Sequence, residues 1–130
     1  MRIFKVRISP LFGQKDNGEP TVVGSWMCLV VAGGAKDVGR VLRSHLPGLF
    51  DSGDGFDIDF ERRVEVGHKA YSVSIGPDGR ATSHLIIVVD GNDLKTSIIG
   101  YLSDMPNVMK YADMDLYEAK EIDMTKEGVW

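Results

Sequence analysis

The sequence lacks the features that would mark a secreted, membrane or nucleic-acid-binding protein. Its single cysteine, Cys28, cannot form an intramolecular disulfide, and a thiol inside an apolar run is typical of a reducing compartment. No apolar run approaches the roughly 20 residues that a membrane span needs, and the alternating N-terminus MRIFKVRISP does not resemble a signal peptide. The net charge of −4 argues against direct binding of nucleic acid or anionic lipid. We therefore expect a cytoplasmic protein without membrane contact.

What the chain does contain is typical of a globular domain. Apolar residues make up 43% and charged residues 26% of the sequence, which is ordinary for a folded protein. A chain of 130 residues can bury a core without help from disulfides or metals. We expect one domain over residues 1–130.

Hydrophobic periodicity predicts an alternation of strands and helices. The segment FDIDFERRVEV alternates apolar and charged residues, as a half-buried strand does, whereas CLVV lies in a strand expected to be buried on both faces. Apolar residues at helical spacing follow Gly34 and Gly91, and Asn92 or Asp93 would cap the second helix. The predicted strands are 2–8, 22–31, 56–66, 71–75, 83–89 and 109–122, and the predicted helices are 38–46 and 94–105.

Two stretches, SWMCLVVAGG (25–34) and SHLIIVVDGN (83–92), indicate an internal repeat. Leu46-Pro47 also aligns with Met105-Pro106, which defines pseudo-repeats over about 2–66 and 69–124. Each would be a ββαβ unit whose helix joins parallel strands by a right-handed crossover. We therefore predict an α+β fold of the ferredoxin-like sandwich type, with both helices on one face of a mainly antiparallel sheet. The alternative is that two βαβ segments resemble each other only because such segments share a common local pattern.

Acidic residues recur at equivalent places in the two repeats. Asp57 and Asp59 would match Asp113 and Asp115, and Glu61 extends the first pair on the same face of its strand. Exposed carboxylates of this kind suit a basic partner. A divalent metal fits less well, because strand side chains two apart lie nearly 7 Å from each other and point in parallel. The remaining alternative is a solvated face that basic residues on neighbouring strands neutralise in part, namely Lys5, Arg7, Arg63 and Lys69.

Trp130 is a further candidate for partner binding. A tryptophan at this position either packs against the protein or remains exposed, and exposed tryptophans favour interfaces. A sheet covered by helices on one face would leave its other face for a partner or for a second subunit.

The segment Gly33, Gly34, Ala35 and Lys36 is a weaker candidate, for binding an anion at a strand-to-helix junction. It lacks the lysine and the Ser/Thr of a phosphate-binding P-loop. Glycines that serve only the turn are the simpler interpretation.

The histidines do not form a recognisable site. His45, His68 and His84 are spaced unlike the ligands of a zinc site, so we expect no metal and no cofactor. A catalytic alternative would use His84 as a general base with Tyr71 or Tyr101 as a proton donor. A hydrogen-bonded histidine at a strand edge is the simpler interpretation.

These observations favour a non-catalytic protein-interaction module over an enzyme. We expect a homodimer that binds a basic protein partner through an open sheet face and the acidic strands 56–66 and 109–118, for example as an inhibitor or an adaptor. The alternatives are a small dimeric ferredoxin-like enzyme that transfers a proton on an apolar molecule, and an anion- or nucleotide-binding domain.

Overall fold

The computed structural model describes residues 1–47, 55–76, 82–107, 109 and 117–130. Within them the fold is α+β, as predicted, and consists of strands with two α-helices. The strands are β1 (Arg2–Gln14), β2 (Pro20–Ala32), β3 (Gly55–Arg62), β4 (Lys69–Ile75), β5 (Thr82–Val88), β6 (Tyr117–Glu121) and β7 (Gly128–Val129), and the helices are α1 (Val38–His45) and α2 (Leu94–Leu102). No helix in this part of the chain has the length and apolar character needed to cross a membrane.

The chain divides into two compact units. Unit 1 comprises Met1–Arg63 and Met124–Trp130, and unit 2 comprises Val64–Asp123. The boundaries fall within a few residues of the predicted repeats, 2–66 and 69–124. The single-domain organisation over 1–130 stays a prediction.

The strands form two antiparallel sheets, one in each unit. Unit 1 has the order β3-β1-β2-β7 and unit 2 the order β5-β4-β6. The first strand of each unit pairs antiparallel with two neighbours, β1 with β2 and β3, and β4 with β5 and β6. The strands that flank each helix in sequence are therefore parallel to each other, as predicted. The sequence predicted both helices on one face of a single sheet. The structure has two sheets instead, and each helix packs against the sheet of its own unit. Two helices and two mostly antiparallel sheets are compatible with a ferredoxin-like α+β sandwich. That the two units arose by duplication of one ancestral unit stays a prediction.

The core of unit 1 lies between α1 and one face of its sheet. Alternate residues of β1 and β2 point toward the apolar stripe of α1, and Phe56 of β3 and Val129 of β7 pack beside them. The buried members are Phe4, Val6, Ile8, Cys28, Val30, Ala32, Val38, Val41 and Leu42. Burial raises the pKa of the Cys28 thiol to about 11, which keeps this cysteine protonated at neutral pH.

Unit 2 has a core of the same design. Residues of β4 and β5 on one face pack against Ile98 and Leu102 of α2. Of the two cap residues that the sequence allowed, Asn92 and Asp93, the structure shows Asp93, whose Oδ1 accepts a hydrogen bond from the Thr96 backbone N–H at 2.6 Å. The remaining buried members are Val73, Ile75, Ile86 and Val88.

The expectation that the sheet faces away from the helices are open is wrong at several positions. Ile3, Leu29 and Val31 lie on that face of the unit 1 sheet, and all are at most 1% exposed. In unit 2, Ala70 and Leu85 face away from α2 and are also buried. The described acidic residues within strands all lie on the edge strands β3 and β6.

Strand β1 continues beyond its predicted end. The predicted strand covered residues 2–8, before Pro10, yet the pairing with β2 resumes at Leu11 opposite Gly24 after a register shift. A proline has no N–H to donate, and an irregularity of the ladder accommodates it without ending the strand. The turn between the two strands is correspondingly short and is closed by Gly18 at φ 85°, between Lys15 and Glu19.

Replacing Leu42 by alanine tests the core of unit 1. Leu42 is fully buried between α1 and the sheet, so Leu42→Ala should lower the free energy of unfolding by about 2–5 kcal/mol. Chemical denaturation measures this loss. The matched control is Arg43→Ala on the exposed side of the same helix, which should change the stability by less than about 0.5 kcal/mol; equal effects of the two changes would contradict this packing.

Candidate functional site

Strand β3, which carries the predicted acidic residues, is an edge strand with a bulge. It pairs only with β1 among the described strands. Val6 lies opposite Ile58 and Lys5 opposite Phe60, so Asp59 is an extra residue with no partner across the ladder. A bulge of this kind reverses the faces of the residues that follow it.

The bulge corrects the expectation that the acidic side chains share one face. Asp57 lies opposite Arg7, on the face away from α1, whereas Glu61 lies opposite Phe4, on the α1 side. Ile58, expected in the core, is 37% exposed. Phe60 now shares a face with Lys5, whose Nζ lies 5.8 Å from the centre of its ring.

Two arginines of β1 contact these carboxylates. Arg7 Nη2 lies 3.5 Å from Asp59 Oδ2, and Arg2 donates a hydrogen bond to Glu61 Oε1. Arg7 is one of the four basic residues that were expected to neutralise the acidic face in part, and its contact with Asp59 agrees with that expectation. Arg2 was not among the four. Exposed ion pairs are worth about 0–1 kcal/mol, so these arginines do not prevent the carboxylates from meeting another cation.

The equivalent edge of unit 2 is β6. Asp113 and Asp115 lie outside the described residues, but Glu118 and Glu121 of β6 are exposed. Over their full sequence ranges, unit 2 has ten acidic and five basic residues, whereas unit 1 has nine and ten. The net negative charge of the protein thus belongs to unit 2.

Trp130 is held by its own unit. Its backbone N–H donates to the Leu29 carbonyl at 2.7 Å, and its carbonyl accepts from the Leu29 N–H at 3.0 Å. The side chain is half-buried against Gly128, with Nε1 in a buried position. This packing, rather than an exposed ring, is what the structure shows for the residue.

Arg40 and Glu127 also connect the C-terminal segment to α1, a contact that the sequence gave no reason to expect. The guanidinium donates two hydrogen bonds to the carboxylate, at 2.8 and 2.6 Å. These bonds lower the pKa of Glu127 from its ordinary value. A bidentate arginine–carboxylate pair fixes orientation as well as distance.

The candidate anion-binding segment lies in the turn before α1. Gly33, Ala35 and Lys36 are exposed and Gly34 is half-buried, and the Asp37 N–H is already bonded to the Gly34 carbonyl. The Asp37 carboxylate borders Gly33, and a negative charge at this place opposes the binding of another anion. The geometry favours a turn over an anion site.

The structure brings together only part of the candidate proton-transfer set. His84 and Tyr101 are in edge-to-face contact, with ring centroids 5.7 Å apart. Tyr71 instead lines a pocket of about 360 Å³ with Lys69, Asp90 and Asp93, beside the start of α2. His84 is not among the residues that line this pocket, so the catalytic alternative lacks its general base there.

Among the residues that the structure describes, no group of three or more His, Cys, Asp or Glu side chains is placed to hold a metal ion. Comparison with known proteins found no matching family model, no matching curated protein and no matching solved structure. The described residues form an α+β fold of two units, each with the order ββαβ, in which the edge strands β3 and β6 carry acidic residues.

Replacing Asp93 by alanine should destabilise unit 2. Its hydrogen bond from the Thr96 N–H is the main reason that the pKa of Asp93 lies below its usual value of 3.8. A carboxylate with a lowered pKa stabilises the fold above its unfolded-state pKa, and this contribution is lost as the pH falls through the folded-state pKa. The melting temperature of Asp93→Ala should therefore lie below that of wild type at pH 7.

The difference between the two melting temperatures should shrink below about pH 4. Asp93→Asn, which keeps an oxygen acceptor, should lose less stability at pH 7 because asparagine also caps helices. Asp104→Ala, at an exposed position beyond the end of α2, is the control. A gap between wild type and Asp93→Ala that stays constant from pH 7 to about pH 2 would contradict the capping role.

Proposed function

We propose that the protein is a non-catalytic interaction module of the cytoplasm that binds a basic protein partner along its acidic edge strands. The observation that carries the proposal is the position of Asp57, Asp59 and Glu61. All three are exposed, and all lie on a strand that pairs only with β1 among the described strands. A partner can therefore approach them from the side of the sheet.

Recognition along β3 would rest mainly on charge. The bulge at Asp59 interrupts the regular spacing of backbone groups, which limits the addition of a continuous strand from a partner. Lysine and arginine side chains of a partner need no such regularity to reach the carboxylates. Arg2 and Arg7 then act as mobile counter-charges that a stronger cation can replace.

The acidic excess of unit 2 supports the same function. Glu118 and Glu121 lie on the strand that corresponds to β3 in the ββαβ order, and Asp113 and Asp115 precede them in sequence. Negative potential on this unit would speed the encounter with a basic partner. A protein that covers a basic surface of its partner works as an inhibitor or an adaptor.

The test compares two isosteric double variants. Asp57→Asn with Asp59→Asn removes two charges from β3, and Asp16→Asn with Glu19→Gln removes two from the exposed turn between β1 and β2. Each immobilised protein is incubated with native lysate, and retained proteins are identified by mass spectrometry. The wild type and the turn variant should capture the same basic protein, while the β3 variant should capture at least about tenfold less.

Capture should also fall as the salt concentration rises, because salt screens exposed charges. The β3 variant should melt close to the wild type, since its changes remove only exposed ion-pair contacts. Equal capture by both variants, capture of acidic proteins only, or no specific capture by the wild type would each contradict the proposal.

A further inference from the structure

Counted over the described strands, the two sheets have four edges, and three of these edges carry features that discourage pairing with another strand. Strand β3 has charged side chains and a bulge, and β6 exposes Glu118, Lys120 and Glu121. Strand β7 is only two residues long. Charges, bulges and short length are the usual means by which proteins protect sheet edges.

The fourth edge, β5, has none of these features. It spans Thr82–Val88 with the sequence TSHLIIV, which contains no proline and no residue with a fixed charge. Its register with β4 is regular from Thr82 opposite Ile75 to Val88 opposite Lys69. A regular, uncharged edge strand of seven residues presents an evenly spaced row of backbone donors and acceptors to another strand.

The described strands beside β2 and β5 differ between the two units. Strands β2 and β5 hold equivalent positions, each next to the central strand and each just before the helix. In unit 1 the C-terminal segment covers β2, with Val129 opposite Val30 and two hydrogen bonds between Trp130 and Leu29. In the part of unit 2 that the structure describes, β5 pairs with β4 alone.

We propose that the β5 strand of a second copy of this chain occupies this edge. Two copies would pair antiparallel about a twofold axis and join their three-stranded sheets into one of six strands, because a twofold contact places the same strand on both sides. The distribution of charge favours β5 for this contact. The protein has a net charge of −4, so two copies that paired through their acidic edges would repel each other, whereas β5 carries no fixed charge. The inference does not rest on the proposed binding of a basic partner.

Side chains beside β5 would add to the contact. Tyr101 of α2 packs against His84 of β5 and is still 39% exposed, and Val89, directly after the strand, is 45% exposed. Full overlap of the two strands centres the twofold axis on Leu85 and sets Ser83 of one copy opposite Ile87 of the other. Residues opposite each other in an antiparallel ladder are neighbours on one face, so this register predicts which charges would repel.

The experiment uses two complementary variants of the full chain. Ser83→Lys with Ile87→Lys places like charges across the proposed interface, and Ser83→Glu with Ile87→Glu does the same with the opposite sign. Light scattering after size exclusion should give the wild type twice the monomer mass of 14.3 kDa. Each variant alone should have the monomer mass, and an equimolar mixture of the two should regain the dimer mass.

The control changes the other edge of the same sheet. Ala119→Lys with Glu121→Gln on β6 alters the charge by as much as the lysine variant does, and both positions are exposed; this protein should remain a dimer. A monomeric wild type, or β5 variants that stay dimeric, would overturn the inference. Variants that do not dimerise but still capture the basic partner would separate this interface from the proposed function.

Hydrogen exchange on the unaltered chain decides the case if a β5 variant fails to fold. Raising the protein concentration should slow the exchange of β5 amides and leave β6 amides unchanged. Protection of β5 that does not depend on concentration would overturn the proposed pairing.

Discussion

In both units the first strand lies at the centre of the sheet and forms antiparallel ladders on its two sides. Because β1 and β4 occupy the centre, the strands that precede and follow each helix must run parallel to each other at opposite sides of the centre. The helix then has to cross the sheet, and its apolar side covers the face it crosses. This arrangement determines which strands become edges, and therefore which backbone groups remain for a partner.

The edges differ in the kind of contact that they can make. On β3 a bulge interrupts the backbone spacing while carboxylates reach solvent, so the proposed binding of a partner there would rest on attraction between charges. On β5 the spacing is regular and fixed charges are absent, so in the proposed dimer the backbone groups would make the contact. The two proposals therefore assign recognition of another molecule and association with a second copy to separate strands.

Most of the secondary-structure elements could be predicted from local sequence patterns. The continuous apolar run around Cys28 and Val30 indicated a strand buried on both faces. The helix cap was narrowed to Asn92 or Asp93, because an acceptor at that place satisfies a free N–H of the first turn. The order of strands and helices followed from such signals. These signals depend on residues that are close together in the sequence, so they can be recognised in one sequence without an alignment.

Local sequence patterns did not predict the division into two sheets or the bulge in β3. Periodicity shows which side of a strand is buried, but it does not show which strands pair with each other. At Asp59 the charged and apolar residues continue to alternate through the bulge, so the sequence contains no sign that the faces exchange. The contacts of Arg2 and Arg7 with the acidic strand depend on register across some fifty residues, which local reasoning does not reach.

The attachment of β7 to β2 affects how the protein reaches its native state. The bonds between Leu29 and Trp130 close a loop of roughly 100 residues, whereas unit 2 is continuous in sequence. Loop closure costs more entropy as the loop lengthens, so prior folding of the roughly 60 residues of unit 2 would lower this cost by about 0.8 kcal/mol. We expect unit 2 to form early and the docking of the last strand to complete unit 1 in a late, slow kinetic phase.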